Sequence, residues 1–265
     1  MSGPRDDPPA GHRPLSVLVT GATSGIGEGI ARHLVALGHL VTVVGRRADR
    51  IDTLGRQLGE RVRGVVGDVA DAADRARMVD AAVAHGDGLD SLVNNAGIMY
   101  RSPLTELDAA RLHDVFDVNV IGPLLLTGLA VPHLESAPGG YGGCVVFMGS
   151  VHTQRAFPGA APYAATKGAL ETLTGVLAAE LGPKQIRVSC IRPGAVPSEI
   201  NVAAGLATVE ENLERLQGLG PAHALGRIGT VTDIAEATAY LLTANWVTGS
   251  VLTVDGGLSL GVTNA

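Results

Sequence analysis

Short apolar runs alternate along this chain with stretches of helical length, and that alternation constrains the fold more than any other feature. The apolar runs cover residues 15–20, 41–44, 62–66, 89–93, 145–148, 187–191 and 251–254. Helix-type patterns fall over 26–37, 48–58, 72–84, 109–134, 162–181 and 234–242. No Pro/Gly/Ser-rich linker and no internal repeat interrupts the succession. Strand–helix–strand units of this kind build a mainly parallel sheet with helices on both faces, a three-layer α/β/α arrangement. The expectation is therefore a doubly wound, seven-stranded sheet in one domain over residues 14–265.

Ligands in such sheets bind at the carboxyl ends of the strands. Four motifs follow strands and so fall on that edge. Thr20-Gly21-Ala22-Thr23-Ser24-Gly25-Ile26-Gly27 joins the first strand to the first helix. Its glycines permit a sharp turn and close backbone approach, and the helix that follows presents free N–H groups to an anion such as a pyrophosphate. A glycine turn that only packs helix on strand is the plainer alternative. Asn94-Asn95-Ala96-Gly97 follows the fourth strand, Ser150 the fifth, and Pro193-Gly194 the sixth. The segment Tyr163-Ala164-Ala165-Thr166-Lys167 opens the next helix. Residues four apart share a helix face, so the phenol and the ammonium reach one small volume. An ammonium beside a phenol lowers its pKa from about 10 toward the range that general acid–base chemistry needs. Taken alone, Tyr-x-x-x-Lys is an ordinary solvated helix face; its company gives it meaning.

Together these motifs resemble the short-chain dehydrogenase/reductase family in its compact form, over roughly residues 15–257 and in the family's order. The resemblance implies a Rossmann-like fold and a catalytic tetrad of Asn119, Ser150, Tyr163 and Lys167. Tyr163 would give a proton to a carbonyl oxygen, or take one in reverse, while a hydride moves to or from a nicotinamide. Ser150 would hydrogen-bond that oxygen, Lys167 would hold the ribose and depress the phenol, and Asn119 would fix a water linking Lys167 to solvent. Read from the residues alone, Asn119 is a satisfied helix amide and Ser150 a turn residue. The resemblance also sets the dinucleotide against Gly21, Thr23, Ser24, Gly25, Ile26 and Gly27. It adds Asp68 and Val69 at the adenine, Asn95, Ala96 and Gly97 along the central sheet, and Pro193, Gly194, Val196 and Ser198 at the nicotinamide. Asp68 has a second reading, as the acid opening the following helix.

The end of the second strand reads Val43-Val44-Gly45-Arg46-Arg47. An acid there would bind a ribose 2′-hydroxyl, whereas an arginine pairs with a 2′-phosphate. Cations are poorly placed at a helix start, which favours the phosphate reading for Arg46 and Arg47 over two solvated side chains. The expected cofactor is NADP(H), with NAD(H) retained as an alternative. Residues 199–224 correspond to the family's substrate cover. Val209, Leu213 and Leu216 recur there at helical spacing, and Glu210, Glu211 and Glu214 form a solvated face. His152, Gln154, Arg155 and Phe157 follow Ser150 and border the substrate, with His152 a pocket-lining group rather than a second acid–base.

Composition narrows the remaining classes. A net charge of −6 argues against a nucleic-acid or anionic-membrane partner. No apolar run approaches the ~20 residues that span a bilayer. Residues 1–13 are polar and rich in Pro, Gly and Asp, read as a disordered tail without a signal peptide on a cytoplasmic protein. Cys144 and Cys190 lie in strand runs as buried thiols, and the eight histidines show no ligand spacing, so no metal is expected. Only 17% of residues are charged, which fits a surface partly covered in a homo-dimer or homo-tetramer. The readings are a carbonyl reductase or alcohol dehydrogenase using NADP(H) on a small ketone or alcohol, its NAD-dependent counterpart, and a non-catalytic dinucleotide-binding sensor or scaffold. The intact tetrad argues against the third.

Overall fold

The fold was analysed in a computed structural model that describes residues 13–261. Seven strands form one parallel sheet: β1 (Ser16–Thr20), β2 (Leu40–Gly45), β3 (Val62–Val66), β4 (Ser91–Asn94), β5 (Gly143–Met148), β6 (Ile186–Pro193) and β7 (Val251–Val254). Their order is β3-β2-β1-β4-β5-β6-β7, with all six pairings parallel. The expected mainly parallel sheet is thus parallel throughout.

Because side chains alternate across a strand, each apolar run feeds two cores. Val17, Val19, Val146 and Met148 pack on one face with α1 (Gly25–Ala36) and α9 (Val231–Thr243). Leu18, Val145 and Phe147 pack on the other with α3 (Ala72–Gly86), α5 (Gly122–Glu135) and α6 (Ala161–Leu181). Cys144 and Cys190 are free and buried, one in each core. The remaining helices are α2 (Ala48–Leu58), α4 (Ala109–Phe116), α7 (Ile200–Ala203) and α8 (Val209–Gln217).

Boundary differences have local causes. Helix α9 begins at Val231, three residues before the apolar pattern, because Thr230 and Asp233 form a capping box. Strand β4 starts at Ser91; just before it the buried Asp90 carboxylate accepts from the Ser16 and Gly139 backbone N–H groups at 2.7 and 2.6 Å. The tail expected over residues 1–13 lies outside the described residues except for Arg13. That guanidinium donates to the Gly86 carbonyl at 2.9 Å and reaches Asp90 at 3.3 Å.

The long helix expected over residues 109–134 is not uniform. Helices α4 and α5 are joined by a π turn, Asp117–Ile121, which carries Asn119. The joined helix, Ala109–Glu135, is also long and apolar enough by composition to cross a bilayer, contrary to the sequence expectation. Here Leu126, Ala130 and Leu134 bury one side of it in the second core. Leu124, Leu125 and Leu129 on the opposite side are exposed.

Candidate active site

Strand order reverses between β1 and β4, and the site is built where their carboxyl ends part. The Thr20 hydroxyl accepts the backbone N–H groups of Asn95 and Ala96 at 3.1 and 3.0 Å. In return the Asn95 carboxamide donates to the carbonyls of Thr20 and Gly21 at 2.9 and 3.1 Å. A Cβ on Gly27 would lie 2.3 Å from the Gly21 oxygen and 2.4 Å from Asn95 Nδ2, so α1 approaches this closely only with glycine there.

Ser24 is the N-cap of α1 but gives it no side-chain capping bond; its hydroxyl instead accepts from Arg47 Nη2 at 2.9 Å. The first N–H groups of α1 are therefore left to whatever fills the adjoining cavity. That cavity measures about 680 Å³, and every residue named from sequence for the cofactor lines it.

At the end of β2, Arg46 is largely exposed, with Nη1 3.6 Å from Asp68 Oδ2. Arg47 turns back over the glycine turn and pairs with Glu199 at 2.7 Å. Arg50, not anticipated from sequence, meets the same carboxylate at 2.8 and 2.9 Å. Gly45 is itself constrained, since a Cβ there would lie 2.4 Å from Thr23 Cγ2. Asp68 does not open α3, as its second reading supposed. Asp71 is that N-cap, accepting from Asp74 N at 2.8 Å, while Asp68 accepts from Ala70 N.

The other end of the cavity holds Ser150, Tyr163 and Lys167, all buried. Lys167 Nζ donates to the Met148 carbonyl at 2.8 Å and stands 5.5 Å from the centre of the Tyr163 ring. The expected depression of the phenol is not what this arrangement produces. Burial pushes Tyr163 up to about 12, with the Ser150 hydroxyl pulling the other way, and burial holds Lys167 down at about 8. Each group loses more by burial than its surroundings return, the Ser150 hydrogen bond for Tyr163 and the nearby Cys190 for Lys167.

Asn119 is 0% exposed and lies behind the cavity wall. Its carboxamide is engaged by the protein, accepting Ile98 N–H at 2.8 Å and donating to Ile98 O and Thr166 Oγ1 at 2.9 and 3.1 Å. It joins the π turn to the loop after β4 and to α6. A Cβ on Gly97 would stand 3.3 Å from Asn119 Oδ1 and 3.5 Å from Lys167 Nζ, so the amide and the amine flank one small space.

His152 and Phe157 border the cavity as expected, their rings 4.3 Å apart. His152 Nδ1 lies 3.0 Å from Ser150 Oγ, and its ring meets Tyr163 edge-on. Burial, then the charges of Arg101, Arg215 and Lys167, hold it at about 4, so the imidazole is neutral near pH 7. Gln154 and Arg155 do not line the cavity. Gln154 is exposed, and Arg155 reaches away to the Leu258 carbonyl at 3.2 Å.

The segment 199–224 does form a helix, α8, but with another face inward. Val209 and Leu213 are exposed, whereas Asn212 is buried, donating to the Ser198 carbonyl at 3.0 Å. Arg215, Leu216 and Leu219 line the cavity. Sequence reasoning also missed Met99, Tyr100, Arg101 and Leu258. The first three follow the Asn94–Gly97 turn on the same carboxyl edge, a positional signal that was available; Leu258 had none.

Comparison with known proteins was consistent with this geometry. The family described as Enoyl-(Acyl carrier protein) reductase matches residues 21–259. An uncharacterized oxidoreductase of Methylorubrum extorquens is 38% identical over 91% of this chain and 96% of the relative. Human dehydrogenase/reductase SDR family member 4 is 33% identical over 91% of this chain and 86% of its own. The crystal structure of 3-ketoacyl-(acyl-carrier-protein) reductase from Brucella melitensis complexed with NADH superposes with a TM-score of 0.82. It is 31% identical and covers 92% of this chain and 97% of that one.

The depressed Lys167 sets a pH dependence. Its folded-state pKa of about 8 lies below the ordinary 10.5. Stability from this group is therefore full above the unfolded value and lost as pH falls through the folded one. Replacing it with Met removes that dependence. The Tm advantage of Lys167→Met over the parent is expected to shrink between about pH 7 and about pH 10. A pH-independent difference in thermal melts would show that the amine titrates normally.

Proposed function

The chain belongs to the short-chain dehydrogenase/reductase family of oxidoreductases, and from that premise we propose that it reduces a carbonyl compound to the alcohol with NADP(H). One observation carries the reading. Tyr163, Ser150 and Lys167 close one end of a cavity whose other end is the uncapped start of α1. The glycine turn, Asn95 to Gly97 and the run from Pro193 to Ser198 would hold the dinucleotide, which supplies the hydride when bound.

The protein's own part is the control of proton and charge. The carbonyl oxygen takes its proton from Tyr163 Oη while the Ser150 hydroxyl faces the charge developing on it. A phenol at about 12 is fully loaded at neutral pH, as reduction requires. The Lys167 ammonium then faces the phenolate left behind, and Asn119, by bridging Ile98 and Thr166, keeps the wall behind Lys167 in place and positions the water through which the proton is replaced. The 199–224 segment acts as the substrate cover, its Leu216 and Leu219 closing the apolar side.

Arg46 supports NADP(H) over NAD(H), being the arginine of this corner held most loosely. The NAD-dependent alternative is favoured by a different observation. Each arginine here already has an acid, Asp68 for Arg46 and Glu199 for Arg47 and Arg50, and a relative is described with NADH. An acid cannot simply be installed at Gly45, because Thr23 occupies the space.

The exposed leucines of α5, Val176 on α6 and the 96% exposed Trp246 before the β7 edge support assembly into a homo-dimer or homo-tetramer.

Three outcomes are expected. Tyr163→Phe lowers kcat by roughly 10²–10⁴-fold with little change in cofactor affinity; wild-type turnover in that variant would remove Tyr163 from the role. Arg46→Ala, assayed at low salt, loses roughly ten- to hundredfold in kcat/KM for NADPH and little for NADH. Equal losses for the two cofactors would return the choice to open. Light scattering at micromolar concentration gives a multiple of 27.0 kDa, and the charged variant Leu125→Glu shifts it downward. A parent that scatters as a monomer ends the assembly proposal.

A further inference from the structure

The two ends of the cavity treat positive charge differently. At the end near β2, Arg46, Arg47 and Arg50 are each matched by Asp68 or Glu199. At the end beyond Tyr163 and His152, Arg101, Arg111 and Arg215 line the same cavity. Among the described residues none of these three forms an ion pair with a carboxylate. Arg101, in the loop after β4, donates from Nη2 to the Pro158 carbonyl at 2.9 Å. Arg111, on α4, lies with its guanidinium carbon 4.5 Å over the Tyr100 ring. Arg215 comes from the opposite wall, on α8, beside Leu216.

Arg101 and Arg215 are close enough to act on one another. Burial first, and then the Arg215 charge, hold Arg101 below the ordinary arginine range. Both also bear on His152, which stands 3.0 Å from Ser150 Oγ. One acid, Asp114, lines this end. Like charges brought together from two separate elements repel unless an anion sits between them. In a chain with a net charge of −6, such a gathering stands out from the general surface. Arg111 and Arg215 are exposed and Arg101 is partly buried, so the three guanidinium groups stand at the open rim of this end, where an incoming anion can reach them.

We propose that the substrate carries an anionic group, a carboxylate or a phosphate, gripped between Arg101 and Arg215 with Arg111 in support, while its carbonyl lies at Ser150 and Tyr163. This rests on the carbonyl-reductase reading and adds the substrate class to it. Guanidinium forks suit planar carboxylates and phosphates alike. Since Arg215 belongs to the 199–224 segment, the anion would also tie that segment to the fixed wall, a contact no neutral ketone supplies.

The test uses matched pairs with NADPH: acetoacetate and levulinate against their methyl esters, and dihydroxyacetone phosphate against dihydroxyacetone. The expected result is a kcat/KM roughly tenfold or more higher for the anionic member of at least one pair, mostly in KM. The carboxylate and phosphate arms identify which group is held. In Arg215→Gln the ratio falls, in Arg101→Gln/Arg215→Gln it approaches one, and added salt weakens it in the parent. NADPH affinity reports that each variant is folded. Equal rates for both members of every pair, or a preference that survives the double variant, overturns the proposal and leaves the reductase reading intact. If no pair turns over, binding is read from the fluorescence of bound NADPH. Anion binding that is selective in the parent and lost in the double variant sustains the proposal, and its absence overturns it. Failure to bind NADPH at all would instead bring down the reading of the cofactor site, and this proposal with it.

Discussion

The reciprocal hydrogen bonds between Thr20 and Asn95 are the interaction on which the rest of the site depends. They tie the ends of β1 and β4 together at the point where the sheet reverses its winding, and they fix the path of the glycine turn. With that path set, Gly27 lets α1 approach, and its uncapped first turn faces the cavity. The same loop, continuing past Gly97, meets Asn119 through the backbone of Ile98, so the π turn and α6 are placed from the same anchor. One part-buried pair thus relates the glycine-turn end of the cavity to the end that holds Tyr163 and Lys167. Replacing either polar partner would leave part-buried donors or acceptors unmatched, which costs more than the bonds themselves contribute.

Burial rather than charge governs the titration of Tyr163, Lys167 and His152. In an exposed helix turn the ammonium of Lys167 would dominate its neighbour. Inside this wall both side chains favour their neutral forms, so the phenol stays protonated and the amine sits near 8. His152 follows the same rule, with three nearby cations adding to it. At neutral pH the wall thus presents a protonated phenol and a neutral imidazole beside the Ser150 hydroxyl.

The strand runs were legible because a fully parallel sheet buries both faces, leaving uninterrupted apolar stretches such as Val17, Leu18 and Val19. The lining of the glycine-turn end of the cavity was legible for a related reason: backbone turns at strand ends need specific small or amide residues, and those leave marks. The opposite end was not. Val209 and Leu213 have helical spacing, but nothing local says which face of α8 turns inward; that is decided by Asn212 reaching the Ser198 carbonyl across the chain. Gln154 and Arg155 adjoin Ser150 in sequence, yet the short turn after it directs them outward, and Arg155 is captured by Leu258. Pairings such as Arg47 and Arg50 with Glu199 span the chain and leave no local pattern.

The two cysteines, unused by the chemistry, give the molecule an internal clock. Cys144 lies on β5 and Cys190 on β6, neighbouring strands of the sheet, and the two thiols are buried in opposite cores. Burial pushes the Cys190 thiol up to about 12, leaving almost no thiolate to react. A thiol reagent therefore waits for the helices covering either face of the sheet to lift, and the rate at which it labels the chain measures how often the two cores open.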